Sequence, residues 1–329
     1  FGRNIQSPDQ LRKLLDDLRE LSGIEPILTI DQEGGRVSRL RLIGGEPPNA
    51  QQLRDHGDRQ AIARHGRITG QLLRLFGFNL DLCPVLDISF DDEADNSLRG
   101  RCYGRTAQEV IANARVFNEA LRREGILSCG KHFPGYSCAG LDPHHELPRI
   151  LRTRADLEAH ELAVFRALSG EVDSMMIGHI GISGIEEGGP PASLSEVVIK
   201  DLLRGELGYR GLVMTDDLDM GAILNHYGFE ETMRMGIRAG NELLMLCHRV
   251  EMARAARSVL EQMDASELQP ALEGVAAFKR RMPPPHAFSE DAFRAVDARV
   301  IALRREVLGE ARAFEKSAED GKRSPVELY

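Results

Sequence analysis

Four segments carry residue types that can do covalent or acid/base chemistry. Gly211-Leu212-Val213-Met214-Thr215-Asp216-Asp217 is a β-type apolar run that ends on two carboxylates, so a rigid element delivers an anion that can act as a nucleophile. Lys131-His132-Phe133-Pro134-Gly135 puts a cation and an imidazole at the mouth of another run, where Pro and Gly turn the chain away. Such a donor-rich floor suits sugar hydroxyls, although a buried ion pair for Lys131 and a satisfied core position for His132 fit the same letters. Asp142 precedes His144 by two residues, close enough to orient the imidazole and raise its pKa for general acid and then general base work. The adjacent His145 leaves a plain His-rich surface loop as the alternative. In Asp31-Gln32-Glu33-Gly34-Gly35-Arg36-Val37-Ser38-Arg39, the glycines let backbone approach a ligand, while Asp31 and Arg39 offer bidentate hydrogen bonds. A tight turn with solvated charges is the competing reading. Retaining glycoside hydrolysis needs an anion on one face of the sugar ring and a proton donor on the other, roughly 5 to 5.5 Å apart. Asp216 and His144 could supply both, unless Asp216 merely pairs with Lys131 and Asp217 caps the next helix.

These residues follow strand-length apolar runs at Pro26 to Ile30, Phe78 to Ile88, Gly125 to Cys129, Ser174 to Ile177, Gly211 to Thr215 and Glu242 to Cys247. Helical patterns lie between the runs. After Thr106, the residues Val110, Ala114, Phe117 and Leu121 fall on one helix face. Capping-box patterns at Ser7/Gln10, Thr106/Glu109, Thr153/Asp156 and Ser193/Glu196 mark helix starts, with Pro8 at a first helical position. Strand, loop and helix in alternation imply an α/β fold with parallel strands and right-handed crossovers. Polar groups just after several different strands, His179 among them, favour a TIM-type (β/α)8 barrel over an open sheet with a single switch point. Six runs are two short of eight, and the chain opens on Phe1-Gly2-Arg3-Asn4 with no apolar run before it. The expectation is therefore a barrel whose first strand and most of whose second lie outside the sequence. Residues 1–329 read as a single catalytic barrel domain with a helical C-terminal extension from about 251 to 329, broken at Pro283-Pro284-Pro285 and packed outside the barrel.

The chain has 329 residues, 42% hydrophobic and 28% charged, with a net charge of −9. Without a Lys/Arg-rich block, that balance argues against nucleic acid or an anionic membrane and fits a small neutral or cationic ligand. No apolar stretch is long enough to span a bilayer. Five cysteines with no C-x-x-C pair suit a reducing compartment. The absence of Trp disfavours a long aromatic-lined cleft and favours a compact polar pocket. Neither G-x-G-x-x-G nor a P-loop is present, which leaves nicotinamide and nucleotide chemistry without support, and no H-x-H or H-E-x-x-H pair suggests a metal site.

Taken together, D-Q-E-G-G-R-V at Asp31, K-H-F-P-G at Lys131, the D-x-H loop at Asp142 and T-D-D-L-x-M at Thr215 resemble glycoside hydrolase family 3, in its bacterial β-N-acetylhexosaminidase branch, from Phe1 to about His248. The resemblance implies Asp216 as the nucleophile, His144 as general acid/base and Asp142 as the carboxylate that tunes it. It also implies Asp31, Arg39, Arg101, Lys131 and His132 as residues that bind a terminal GlcNAc, with Arg101 in Gly100-Arg101-Cys102-Tyr103-Gly104. Tyr136-Ser137 stands where many relatives carry His-Gly, which bears on the aglycone. The implied activity is a retaining exo-β-N-acetylglucosaminidase acting on peptidoglycan (muropeptide) fragments through a covalent intermediate, with no cofactor and a small GlcNAc-containing saccharide as its partner. A phosphorylase or a β-glucosidase on the same frame is the alternative, and a non-enzymatic sugar-binding protein a weaker one. The resemblance also implies a cytoplasmic location, which the cysteine count matches. The sequence leaves the oligomeric state open.

Overall fold

The structure is a computed structural model that describes residues 1–94, 96–136 and 147–317. Its described residues form two compact units, one from Phe1–Val85, Arg99–Cys129 and the chain from Arg281 on, the other from Leu86–Leu98 and Gly130–Arg280.

In the first unit, α1 (Pro8–Leu21) precedes β1 (Thr29–Ile30) and the antiparallel pair β2 (Gln32–Gly34) and β3 (Val37–Ser38); α2 (Ala50–His56), α3 (Arg59–Phe76), β4 (Leu80–Asp81), α4 (Ala107–Arg123) and the start of β5 (Leu127–Phe133) follow. The order β1-β4-β5 is parallel, with Thr29 opposite Leu80 and Leu80 opposite Leu127. The predicted face of α4 is the buried one, since Val110, Ala114, Phe117 and Leu121 are all sealed from solvent. The helix packs on α3, and α3 packs on the C-terminal helix Glu290–Leu308.

In the second unit, the end of β5 is followed by β6 (Arg149–Ile150), β7 (Ser174–Ile177), β8 (Gly181–Ile182), β9 (Leu212–Asp217) and β10 (Leu243–Met245). The order β5-β7-β9-β10 is parallel where registers are resolved, from Ser174 opposite Leu212 to Ile177 opposite Thr215, and β6 pairs with β8. Leu194, Leu218, Ile223 and Met233 form one apolar cluster behind β9. The six sequence runs thus become the six strands β1, β4, β5, β7, β9 and β10, a mixed α/β fold with parallel pairing. Helices Val250–Leu260 and Ala265–Lys279 lie in this unit, and Pro283-Pro284-Pro285 falls in the coil before Glu290–Leu308.

Three of the four predicted caps form: the hydroxyls of Ser7, Thr106 and Thr153 accept the backbone N–H groups of Gln10, Glu109 and Asp156. Ser193 does not cap. Its hydroxyl lies 2.7 Å from His179 Nδ1, and Ser195 instead accepts the N–H of Val198 at the next helical segment. A buried imidazole nitrogen needs a partner more than a solvated helix end does, which explains the diversion.

Candidate active site

In the first unit, Asp31 follows β1 directly, and the turn between β2 and β3 returns Arg39 to it, with Arg39 NH2 3.7 Å from Asp31 Oδ2. That is an ion contact at longer than hydrogen-bond distance. Arg39 Nε and NH2 are buried without a hydrogen-bond partner among the described residues, so the guanidinium keeps donor capacity that no described residue takes up. The turn needs its glycines for its own packing. Gly34 and Gly35 both have positive φ, and a Cβ on Gly34 would lie 2.3 Å from the carbonyl oxygen of Pro48. It is the chain's own 47–49 stretch that comes close.

Arg101 is buried and forks onto Glu33, with Nε to Oε2 and NH2 to Oε1 both 2.8 Å. Two of its N–H groups are thereby committed, and the guanidinium plane is fixed. Sequence reasoning placed Arg101 but missed Glu33 as the residue that holds it.

In the second unit, Lys131 and His132 sit on β5 and are buried. The residue that orients His132 was also missed. Asp87 is fully buried; its Oδ2 accepts the His132 backbone N–H at 3.2 Å and lies 2.7 Å from His132 Nδ1, while its Oδ1 accepts the Tyr136 N–H at 2.6 Å. A carboxylate that already accepts two backbone N–H groups suits an Nδ1 that donates toward Asp87, which makes Nε2 the acceptor nitrogen of the ring. The signal was present, because Asp87 is a carboxylate next to the end of the apolar run Phe78 to Ile88.

Tyr136 stacks on His132 at 4.9 Å, and its hydroxyl accepts the His179 N–H at 2.6 Å. His179 Nε2 lies 2.9 Å from the Asp217 carbonyl oxygen, so both imidazole nitrogens are hydrogen-bonded and His179 is structural. Its bonds tie the loop after β7 to the end of β9. There Asp216 is half-buried and accepts the Asp217 N–H on Oδ1 at 2.8 Å. Asp217 is buried and caps no helix: Oδ1 accepts the N–H groups of Asp219 and Cys247, and Oδ2 lies 2.8 Å from His248 Nε2. Burial raises the Asp217 pKa to about 6, with the Asp216 and Asp219 charges adding to the rise. Asp142 and His144 lie outside the described residues.

In the second unit, the carboxylates of Asp216 and Asp217 and the His132 ring held by Asp87 lie at or just beyond the C-terminal ends of parallel strands, where polar groups of α/β folds gather for chemistry. Residues 1–276 match the family model described as the glycosyl hydrolase family 3 N-terminal domain. The chain belongs to that family. It is 34% identical over 271 residues to a beta-hexosaminidase of Alkalilimnicola ehrlichii, covering 80% of this chain and 77% of that one. Among solved structures, the family 3 beta-N-acetylglucosaminidase of Paenibacillus sp. str. FPU-7 superposes with a TM-score of 0.85 at 32% identity over 93% of this chain, which spans 62% of that longer one. NagZ of Neisseria gonorrhoeae, solved in complex with N-trifluoroacetyl-D-glucosamine, superposes with a TM-score of 0.78 at 28% identity, covering 92% of this chain and 89% of its own. Among the described residues no helix is long and apolar enough to cross a membrane.

Proposed function

We propose that the protein is a retaining exo-β-N-acetylglucosaminidase that removes terminal β-linked GlcNAc, with muropeptide fragments of peptidoglycan as its substrate class and the cytoplasm as its location. The observation that carries the reading is Asp216, half-buried at the rigid end of β9 beside a second, buried carboxylate, in a chain whose relatives are beta-hexosaminidases. The likeness to the Paenibacillus structure supports a TIM-type (β/α)8 frame for the six parallel strands.

In this reading Asp31, Arg39, Arg101, Lys131 and His132 hold the sugar. The Asp216 carboxylate attacks the anomeric carbon while His144, tuned by Asp142, gives its proton to the departing aglycone oxygen. The imidazole then takes a proton from water, whose oxygen displaces Asp216 and releases GlcNAc with retained configuration. Chromogenic β-GlcNAc and β-glucose substrates, assayed with and without inorganic phosphate, test the activity. Free GlcNAc and a strong preference for the N-acetyl substrate are expected; GlcNAc-1-phosphate would make the protein a phosphorylase, and a preference for glucose a glucosidase. A slow-turnover 2-fluoro sugar is expected to label Asp216, and Asp216→Ala to lower turnover by roughly 10⁴-fold or more.

A further inference from the structure

Arg39 opens the one-turn 3-10 helix Arg39–Leu42, which follows β3 directly. A single turn of that geometry closes few bonds of its own and is marginal in isolation, so outside partners decide where the Arg39 guanidinium sits. One grip is local. Gln32 Oε1 accepts the Leu40 N–H at 3.2 Å, and the Leu40 side chain is buried.

The second grip comes from a strap at residues 309–317, which follows the C-terminal helix Glu290–Leu308 and lies beyond the residues that the family model matches. Lys316 Nζ donates to the Arg41 carbonyl oxygen at 2.6 Å, and Arg41 Nη1 donates to the Ser317 carbonyl oxygen at 3.4 Å. The strap and the Arg39 turn thus exchange hydrogen bonds in both directions. Buried Glu46 closes the ring: Oε2 accepts Arg41 Nη1 at 3.2 Å and the Ser317 N–H at 3.0 Å, and Oε1 accepts the Ser317 hydroxyl at 2.7 Å. Arg304, buried on the C-terminal helix, fastens the strap by donating to the carbonyl oxygens of Ala313 at 2.8 Å and Glu46 at 2.7 Å. One residue past Glu46, the Pro47 carbonyl oxygen accepts the Gly35 N–H at 2.8 Å, so the same assembly reaches the glycine turn between β2 and β3. All of these residues belong to the first unit.

We propose that Lys316 and Ser317 are positioning residues for sugar binding: they hold the helical turn at Arg41, and through it the Arg39 guanidinium, in the place from which it meets the substrate. This rests on the reading of Arg39 as a sugar-binding residue. A guanidinium on a fixed turn loses less freedom on binding than one on a loose turn, so the strap acts on affinity for the sugar and leaves the chemical step alone. Because Leu40 keeps its own grip, release of the strap weakens binding without abolishing it.

The test uses the full-length chain, with steady-state kinetics on an aryl β-GlcNAc substrate and the Kd of GlcNAc measured by ligand-observed NMR titration. Lys316→Ala/Ser317→Ala removes both side-chain donors, and it is expected to raise KM and the GlcNAc Kd each by about fivefold while kcat stays within about twofold of wild type. Lys316→Arg/Ser317→Thr returns a cation and a hydroxyl to the same places and is expected to restore KM and Kd. Arg39→Ala is expected to raise the Kd by roughly tenfold or more. On that background the strap pair is expected to add almost nothing, since the group it positions is gone.

A strap pair that lowers kcat with KM unmoved, a KM and Kd unmoved in the folded variant, or the same fivefold loss on the Arg39→Ala background overturns the inference. Should the pair fail to fold, Lys316→Ala alone decides by the same readings. An Arg39→Ala variant with unchanged GlcNAc affinity refutes the reading of Arg39 and takes the inference with it, whereas a loss in Arg39→Ala beside an unmoved strap variant refutes only the role of the strap.

Discussion

His65 in the first unit and Asp217 in the second are both buried titratable groups, and burial drives each toward its neutral form with opposite consequences for pH. His65 is sealed from solvent on α3, with neither ring nitrogen hydrogen-bonded among the described residues, and desolvation lowers its pKa from 6.5 to about 3. Asp217 is raised from 3.8 to about 6. For the base, stability is full above pH 6.5 and is lost as pH falls toward 3, because the unfolded chain binds the proton that the fold refuses. For the acid, stability is full below pH 3.8 and is lost as pH rises through 6. Acidification from neutral therefore weakens the first unit while it relieves the second.

The two units also differ in how their polar groups are held. Glu33 and Arg101 neutralise each other as a buried ion pair, whereas Asp87, His132, Tyr136, His179 and Asp217 form a relay in which side chains bond largely to backbone. Removal of a charge should be costly in the first arrangement and milder at a neutral link of the second.

Arg101→Ala is expected to have the largest effect, since it leaves the Glu33 carboxylate buried and unforked, at about 4 kcal/mol; urea unfolding at pH 7 measures it. His65→Leu sharpens the comparison, because no hydrogen bond is forfeited and the pH liability disappears. Between pH 7 and pH 4 the wild type should lose about 3 kcal/mol more than the variant, and parallel losses would break the comparison. Asp217→Asn should remove a fall of about 2 kcal/mol between pH 4 and pH 6, the opposite slope, when the same titration is run on that variant. Ser193→Ala should have the smallest effect, about 1 kcal/mol for the unpaired His179 nitrogen, with hydrogen exchange faster around β7 than around β1.

The strands were legible because their apolar runs are local and bounded by turn residues, and the caps at Ser7, Thr106 and Thr153 because capping is settled within three residues. Glu33 with Arg101 and Asp87 with His132 were not, since each pair is separated by dozens of residues and only the parallel strand order brings it together. Ser193 shows the limit of local rules. Its spacing to Glu196 satisfies the capping pattern, yet a buried imidazole reached from another loop takes the hydroxyl. The approach of Arg39 to Asp31 follows from a turn encoded by adjacent glycines.

Tyr136 leaves one last consequence. A Cβ placed on Gly178 would lie 2.7 Å from the Tyr136 ring and 2.8 Å from its hydroxyl oxygen. The two positions are therefore sterically coupled. Gly178 can gain a side chain only after position 136 has shrunk or swung aside, so an engineer who substitutes both positions must change 136 first.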